Sequence, residues 1–119
     1  MDTRIQRVLD LMNHDPDRQL SLDQMARSVN LSPSRFSHLF KLQTGMSPAR
    51  YQRWLRMQRA RQLLETSLLT IKQIAGRIGI RDESHFWRDF KKIYGLTPSE
   101  YRASYFAGNK PTEDPGKAK

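Results

Sequence analysis

The chain has 119 residues, 37% of them hydrophobic, and no cysteine; that length suits one all-helical unit or two very small ones, and disulfides and thiolate metal sites are excluded. Twenty-one Lys and Arg stand against twelve Asp and Glu, a net charge of +9, which points to a polyanionic partner bound through counterion release. No run of eighteen apolar residues occurs and the N-terminus is amphipathic without an apolar h-region, so neither a membrane span nor a secretory signal is read, and a cytoplasmic protein is the simplest expectation.

The first predicted helix carries Ile5, Val8, Leu9 and Met12 on one face, the i, i+3, i+4, i+7 pattern of a helix with one buried side. Asp2 or Thr3 can cap it, and Asp15-Pro16-Asp17 ends it. Ser21 and Gln24 have capping-box spacing and open a short helix whose inner side is Met25, Ala26 and Val29. The chain turns at Asn30-Leu31. Ser32-Pro33 then supplies an N-cap and a proline at N1, where its missing N–H costs nothing. Phe36, Leu39 and Phe40 form the buried face of that third helix, and Gly45 suits the left-handed residue that closes it.

Ser47-Pro48 repeats the cap and proline. A long helix is predicted from Pro48 to Thr66, with apolar contacts from Tyr51, Trp54, Leu55, Leu63 and Leu64 and a dense set of arginines, Arg50, Arg53, Arg56, Arg59 and Arg61. The pattern then restarts. Thr70 and Gln73 form a second capping box, Ile71, Ile74, Ala75 and Ile78 an inner stripe, and Gly79-Ile80 a turn. Asp82 caps a helix that buries Phe86, Phe90 and Ile93 and stops at Gly95. Thr97-Pro98-Ser99-Glu100 begins a last short helix through Tyr105. From Ala107 the chain is polar and rich in Gly and Pro, read as a disordered tail over 107–119.

The two halves superpose as sequences. Leu20, Gln24, Ala26 and Leu31 match Leu69, Gln73, Ala75 and Ile80 at an offset of 49, and Phe36, Phe40, Lys41, Gly45, Pro48 and Tyr51 match Phe86, Phe90, Lys91, Gly95, Pro98 and Tyr101 at an offset of 50. One residue is therefore gained between Leu31 and Phe36. Each copy has the form helix, short turn, helix, with a small alanine where the second helix must pass closely. This is helix-turn-helix logic, in which the first helix buttresses and the second enters the major groove. The fold expected is all-α, about seven helices: a first helix-turn-helix subdomain over 1–46, a linker helix over 47–67 and a second subdomain over 68–106.

These residues resemble the DNA-binding domain of the AraC/XylS transcriptional regulators. The resemblance rests on Ile74-Ala75, Gly79-Ile80, the run Ser84 to Lys92 and Gly95 to Arg102 in the second half. The first half adds Leu31 to Lys41 and Thr44-Gly45, and the middle adds Arg56 to Leu64. It covers about residues 4–105. It implies a seven-helix domain that inserts two recognition helices into successive major-groove segments on one face of double-stranded DNA. It also implies a transcription regulator, usually an activator and sometimes a repressor, that contacts RNA polymerase. No effector site and no separate sensing or dimerisation domain is read in this chain, which fits either a short stand-alone regulator or a fragment of a longer one.

On the first recognition helix the outward positions are Ser34, Ser37, His38 and Lys41, at i, i+3, i+4 and i+7, with Arg35 flanking. They match the family's DNA-contacting face. Ser and His can hydrogen-bond base edges, and Lys41 suits a phosphate. The second helix offers Glu83, Ser84, His85, Trp87 and Arg88. Arg88 aligns with His38 and suits a bidentate contact to guanine, and Glu83 can accept from cytosine N4. Trp87 departs from the small hydroxyl residue common in the family; it either packs on a thymine methyl or a sugar, or folds back on the protein. The bland readings are surface histidines, serines that only cap, and linker-helix arginines that are solvated charge, with Arg50 and Arg53 as phosphate contacts.

No catalytic constellation is read: there is no Gly-rich phosphate loop, no cysteine nucleophile and no histidine pair at metal spacing, and no cofactor is expected. Two rival readings remain. An RNA-binding module would expose stacking aromatics, whereas most aromatics here lie on inner faces. A helical adaptor would need neither the basic face nor the repeated caps.

Overall fold

Seven helices form where the caps and apolar spacing place them in the computed structural model, which describes residues 1–108. They are α1 (Thr3–His14), α2 (Leu22–Ser28), α3 (Pro33–Thr44), α4 (Pro48–Thr66), α5 (Ile71–Arg77), α6 (Glu83–Tyr94) and α7 (Pro98–Phe106), with no strand among the described residues. The expected all-α architecture is therefore observed. Of the tail, Ala107 and Gly108 form the turn that ends α7, and the remainder of 107–119 lies outside the described residues.

Helix boundaries follow local chemistry. Asp2, rather than Thr3, caps α1, its carboxylate accepting from the Arg4 N–H. The Arg4 guanidinium also bonds that carboxylate and holds its pKa down to about 2. Ser21–Gln24, Thr70–Gln73 and Thr97–Glu100 are reciprocal capping boxes. In each, the hydroxyl accepts from the N3 amide while the N3 side chain accepts from the cap's own N–H, so two otherwise unpaired donors are satisfied. Gly45 and Gly95 close α3 and α6 at φ 83° and 80°, where an L-residue pays a steric penalty.

The chain divides into two units between Leu55 and Arg56, inside α4. The first core is Ile5, Val8 and Met12 of α1, Met25 and Ala26 of α2, Phe36 and Phe40 of α3, and Leu55 of α4, with Leu20 and Val29 from the connections. The second is Met57, Ala60, Leu63 and Leu64 of α4, Ile74 and Ala75 of α5, Phe86 and Phe90 of α6, and Tyr101 of α7, with Ile78. So α4 serves as the closing helix of one unit and the opening helix of the other.

That double use extends the repeat beyond the sequence comparison. Ile5, Val8 and Met12 have counterparts in Met57, Ala60 and Leu64, each 52 residues on. The offset falls to 49 after the next connection because residues 15–21 between α1 and α2 are replaced by the shorter 67–70 between α4 and α5. Met57 and Ala60 were not among the contacts expected of α4. An amphipathic stripe is easy to read when one face is buried, but α4 buries different faces along its length.

Both helix-to-helix turns are built alike. The Leu31 N–H donates to the Ala26 carbonyl at 3.0 Å, and the Ile80 N–H to the Ala75 carbonyl at 2.8 Å. The left-handed residue is Gly79 in the second turn and Asn30, at φ 59°, in the first; Asn tolerates that region better than most side chains. After the turn Leu31 meets the cap Ser32 directly, whereas Arg81 intervenes between Ile80 and the cap Asp82. Arg81 is thus the residue gained in the second copy.

Candidate nucleic-acid interface

In each unit the second helix of the pair is amphipathic, with two phenylalanines one turn apart facing in. Phe36 and Phe40 of α3 and Phe86 and Phe90 of α6 are fully buried, and the ring pairs meet with centroids 5.6 Å and 5.9 Å apart. Ala26 and Ala75 of the preceding helices are also buried, which lets the two backbones approach. The opposite face of α3 and α6 is thereby left to solvent.

Nine of the ten positions expected to meet DNA are exposed: Ser34, Arg35, His38 and Lys41 on α3, and Glu83, Ser84, His85, Trp87 and Arg88 on α6. Ser37 is half-buried and lines a small recess with Leu20, Leu22, Met25, Pro48 and Gln52. On α3 the serines, Arg35 and His38 do not stand alone. Ser34, Arg35 and His38 edge a shallow depression of about 660 Å³ floored by Leu39 and Leu42 and bounded by Arg4 and Ser32. Leu42 of α3 is 70% exposed.

Trp87 does not fold back. It is 46% exposed and occupies the position of Ser37 in the repeat. Ser32 is a cap, accepting from the Arg35 N–H, and Asp82 caps α6 by accepting from the Ser84 N–H. One turn along α6 from His85, Asp89 holds its Oδ2 3.2 Å from the His85 Nε2.

The long-helix arginines divide into two kinds. Arg50 and Arg53 are exposed, as phosphate contacts would need to be. Arg61 is not the solvated charge expected: its guanidinium lies over the Tyr94 ring, 5.6 Å from the centroid, and is half-buried. Behind α6, the Tyr101 hydroxyl donates to Glu65 Oε2. Burial first, and then the Glu65 carboxylate, push that phenol well above its ordinary pKa. Arg102 donates to backbone carbonyls at the end of α4 and in the connection beyond it. Arg61 and Tyr101 thus pack against α6, while Arg102 ties α7 to the end of α4. Among the described residues no group of three or more His, Cys, Asp or Glu side chains gathers to hold a metal, and no helix is long and apolar enough to cross a membrane.

Two capped helix-turn-helix pairs, each presenting a polar outer helix face in a basic chain, define a tandem helix-turn-helix domain. A family model described as a helix-turn-helix domain matches residues 25–104. The chain is 36% identical over 104 residues to the arabinose operon regulatory protein of Escherichia coli, an alignment covering 87% of this chain and 36% of that protein. It is 33% identical over 106 residues to the lactose operon transcription activator of Staphylococcus xylosus, covering 89% and 38%. Among solved structures, the DNA-binding domain of AdpA in complex with a target DNA superposes with a TM-score of 0.83 at 28% identity, over 88% of this chain and 95% of that one. An AraC-type transcriptional regulator from Chromobacterium violaceum gives 0.79 at 32% identity, over 86% and 91%. The chain belongs to the AraC/XylS family of helix-turn-helix DNA-binding domains. It spans little more than a third of the length of these two curated relatives.

Proposed function

We propose that the chain reads double-stranded DNA in a sequence-specific manner, with α3 and α6 in successive major-groove segments, and that it regulates transcription in the cytoplasm as an activator in contact with RNA polymerase. The observation that carries this reading is the twice-built outer helix: the same buried phenylalanine pair and the same turn turn a polar face outward in each unit. The similar chain of AdpA was solved with its target DNA, and the relative from Staphylococcus xylosus is a transcription activator.

In this reading Ser34, Arg35, Ser37, His38, Ser84 and His85 hydrogen-bond base edges or backbone. Lys41 meets a phosphate, Glu83 accepts from cytosine N4, Trp87 packs on a thymine methyl or a sugar, and Arg88 takes guanine O6 and N7. Arg50 and Arg53 neutralise phosphates. Selection of bound duplexes from a random DNA pool tests the whole scheme. The expected product is a bipartite site with halves about one turn apart, roughly 34 Å; recovery of a single half-site, or of no enriched sequence, would refute it.

Two substitutions separate readout from attraction. Arg88→Ala is expected to cost about 1–3 kcal/mol and relax preference at one base position; uniform weakening across sequences would make it a phosphate contact instead. Lys41→Ala is expected to weaken all sequences evenly and to lower the slope of log affinity against log salt by about one. An unchanged slope would remove Lys41 from the phosphate contacts.

A further inference from the structure

The pair formed by His85 and Asp89 is not explained by packing. Both lie on α6, one turn apart, with Nε2 and Oδ2 3.2 Å from each other and side chains 60% and 21% exposed. In the repeat, Asp89 stands at the position of Leu39, and His85 at that of Arg35. Leu39 packs against the first core. The second unit places a carboxylate in that same register, beside Phe86 and Phe90, where an apolar side chain would add buried area. An anion on a helix that meets DNA also opposes phosphate attraction. Asp89 is thus unfavourable on two counts, and its recorded partner is His85.

We propose that Asp89 is a positioning residue for base recognition: it ties the Nε2 edge of His85 to α6, so that the ring presents Nδ1 to one base edge in a fixed orientation. This rests on the DNA-reading role proposed above. The first unit needs no such device, because Arg35 carries its donors in a rigid planar fork. An exposed imidazole has two nitrogens and a free χ2, and either nitrogen can meet a base. Tying one of them removes that ambiguity before binding and lowers the ordering cost at the interface. Asp89 need not touch DNA to do this.

The test uses the site that the wild-type chain selects, with all four base pairs placed in turn at each position of the α6 half. Affinities are measured for wild type, His85→Ala, Asp89→Leu and the double variant, with thermal melting of each. His85→Ala is expected to flatten preference at one position. Asp89→Leu, which installs the residue of the first repeat, is expected to flatten the same position by about fivefold, and the double variant no further. Asp89→Asn keeps an oxygen that can accept from Nε2–H, so it is expected to retain most of the preference, and it serves as the deciding variant if Asp89→Leu melts early. An equal change for all four bases in Asp89→Leu, an additive double variant, or an Asn variant as flat as the alanine at His85 would each overturn the inference. Absence of any selected site for wild type would instead overturn DNA reading itself, and a selected site indifferent to His85→Ala would overturn only the role of this pair.

Discussion

Replacing Phe90 by alanine is expected to destabilise the second unit by about 4 kcal/mol, the middle of the range for a buried phenylalanine. Phe90 is fully buried and its ring meets three others, two on α6 and one on α7. It lies edge-on to Phe86 with centroids 5.9 Å apart and edge-on to Tyr101 of α7 at 5.5 Å, and it contacts Tyr94 at 4.7 Å. Truncation removes that apolar area and leaves a cavity bounded by three other rings, which cannot all collapse into it. A unit of this size has only a few kcal/mol of net stability, so the loss takes most of it. Each unit contains one tryptophan, Trp54 in the first and Trp87 in the second. Single-tryptophan variants in a denaturant titration therefore report the units separately. The expected result is a transition reported by Trp87 moved far to lower denaturant while that reported by Trp54 moves little. A shift below about 1 kcal/mol would mean that the aromatic cluster repacks.

Arg102→Ala is expected to cost about 3 kcal/mol, through hydrogen bonding rather than apolar burial. Helix α4 ends at Thr66 without a glycine cap, and four residues, 67–70, separate it from the start of α5 at Ile71. Arg102 bridges that junction: Nε donates to the Leu64 carbonyl at 3.1 Å, Nη1 to that of Leu69, and Nη2 to those of Ser67 at 3.3 Å and Leu63 at 3.4 Å. The Leu63 carbonyl also accepts from Ser67, so the carbonyls of Leu64, Ser67 and Leu69 bear the loss. Bonds from a charged donor are each worth about 1.5–3 kcal/mol, and partly buried carbonyls left unpaired cost more than an average bond returns. Arg102→Lys is expected to recover less than half, because one ammonium cannot span the carbonyls of α4 and of the connection together. A lysine variant as stable as wild type would show that charge, and not the planar fork, is what the junction requires. The same titration reads this out, and hydrogen exchange at α5 amides should rise with the loss, since the released segment leads directly into the Thr70 cap.

The two predictions differ in how visible their residues were beforehand. Phe90 was legible: it recurs at the spacing of Phe86, and its counterpart Phe40 repeats the arrangement fifty residues earlier. Arg102 was noticed only as part of the family resemblance and carried no role. Its partners lie 33 to 39 residues away, and no local pattern pairs a cation with carbonyls it meets only after folding. Arg61 was read as solvent charge for the same reason, since Tyr94 comes to it from another helix. Asp89 takes the register of Leu39 in the repeat, and only the structure shows its carboxylate 3.2 Å from the His85 ring.

Most helix starts, and the ends of α3 and α6, are written locally, because a cap, a proline at N1, a capping box or a left-handed glycine acts through neighbours within about four residues. The sequence by itself also determined that the module occurs twice and which side of α3 and α6 is buried, because periodicity records a single inner face. Tertiary structure alone decided what long-range contact sets. It gave α4 to two cores, with Leu55 in one and Met57 in the other. It turned Ser37 partly inward, left Leu42 and Trp87 exposed, and joined Arg102 to the end of α4. Those outcomes depend on which surfaces meet when distant segments pack, and a pattern read along one chain contains no such distances.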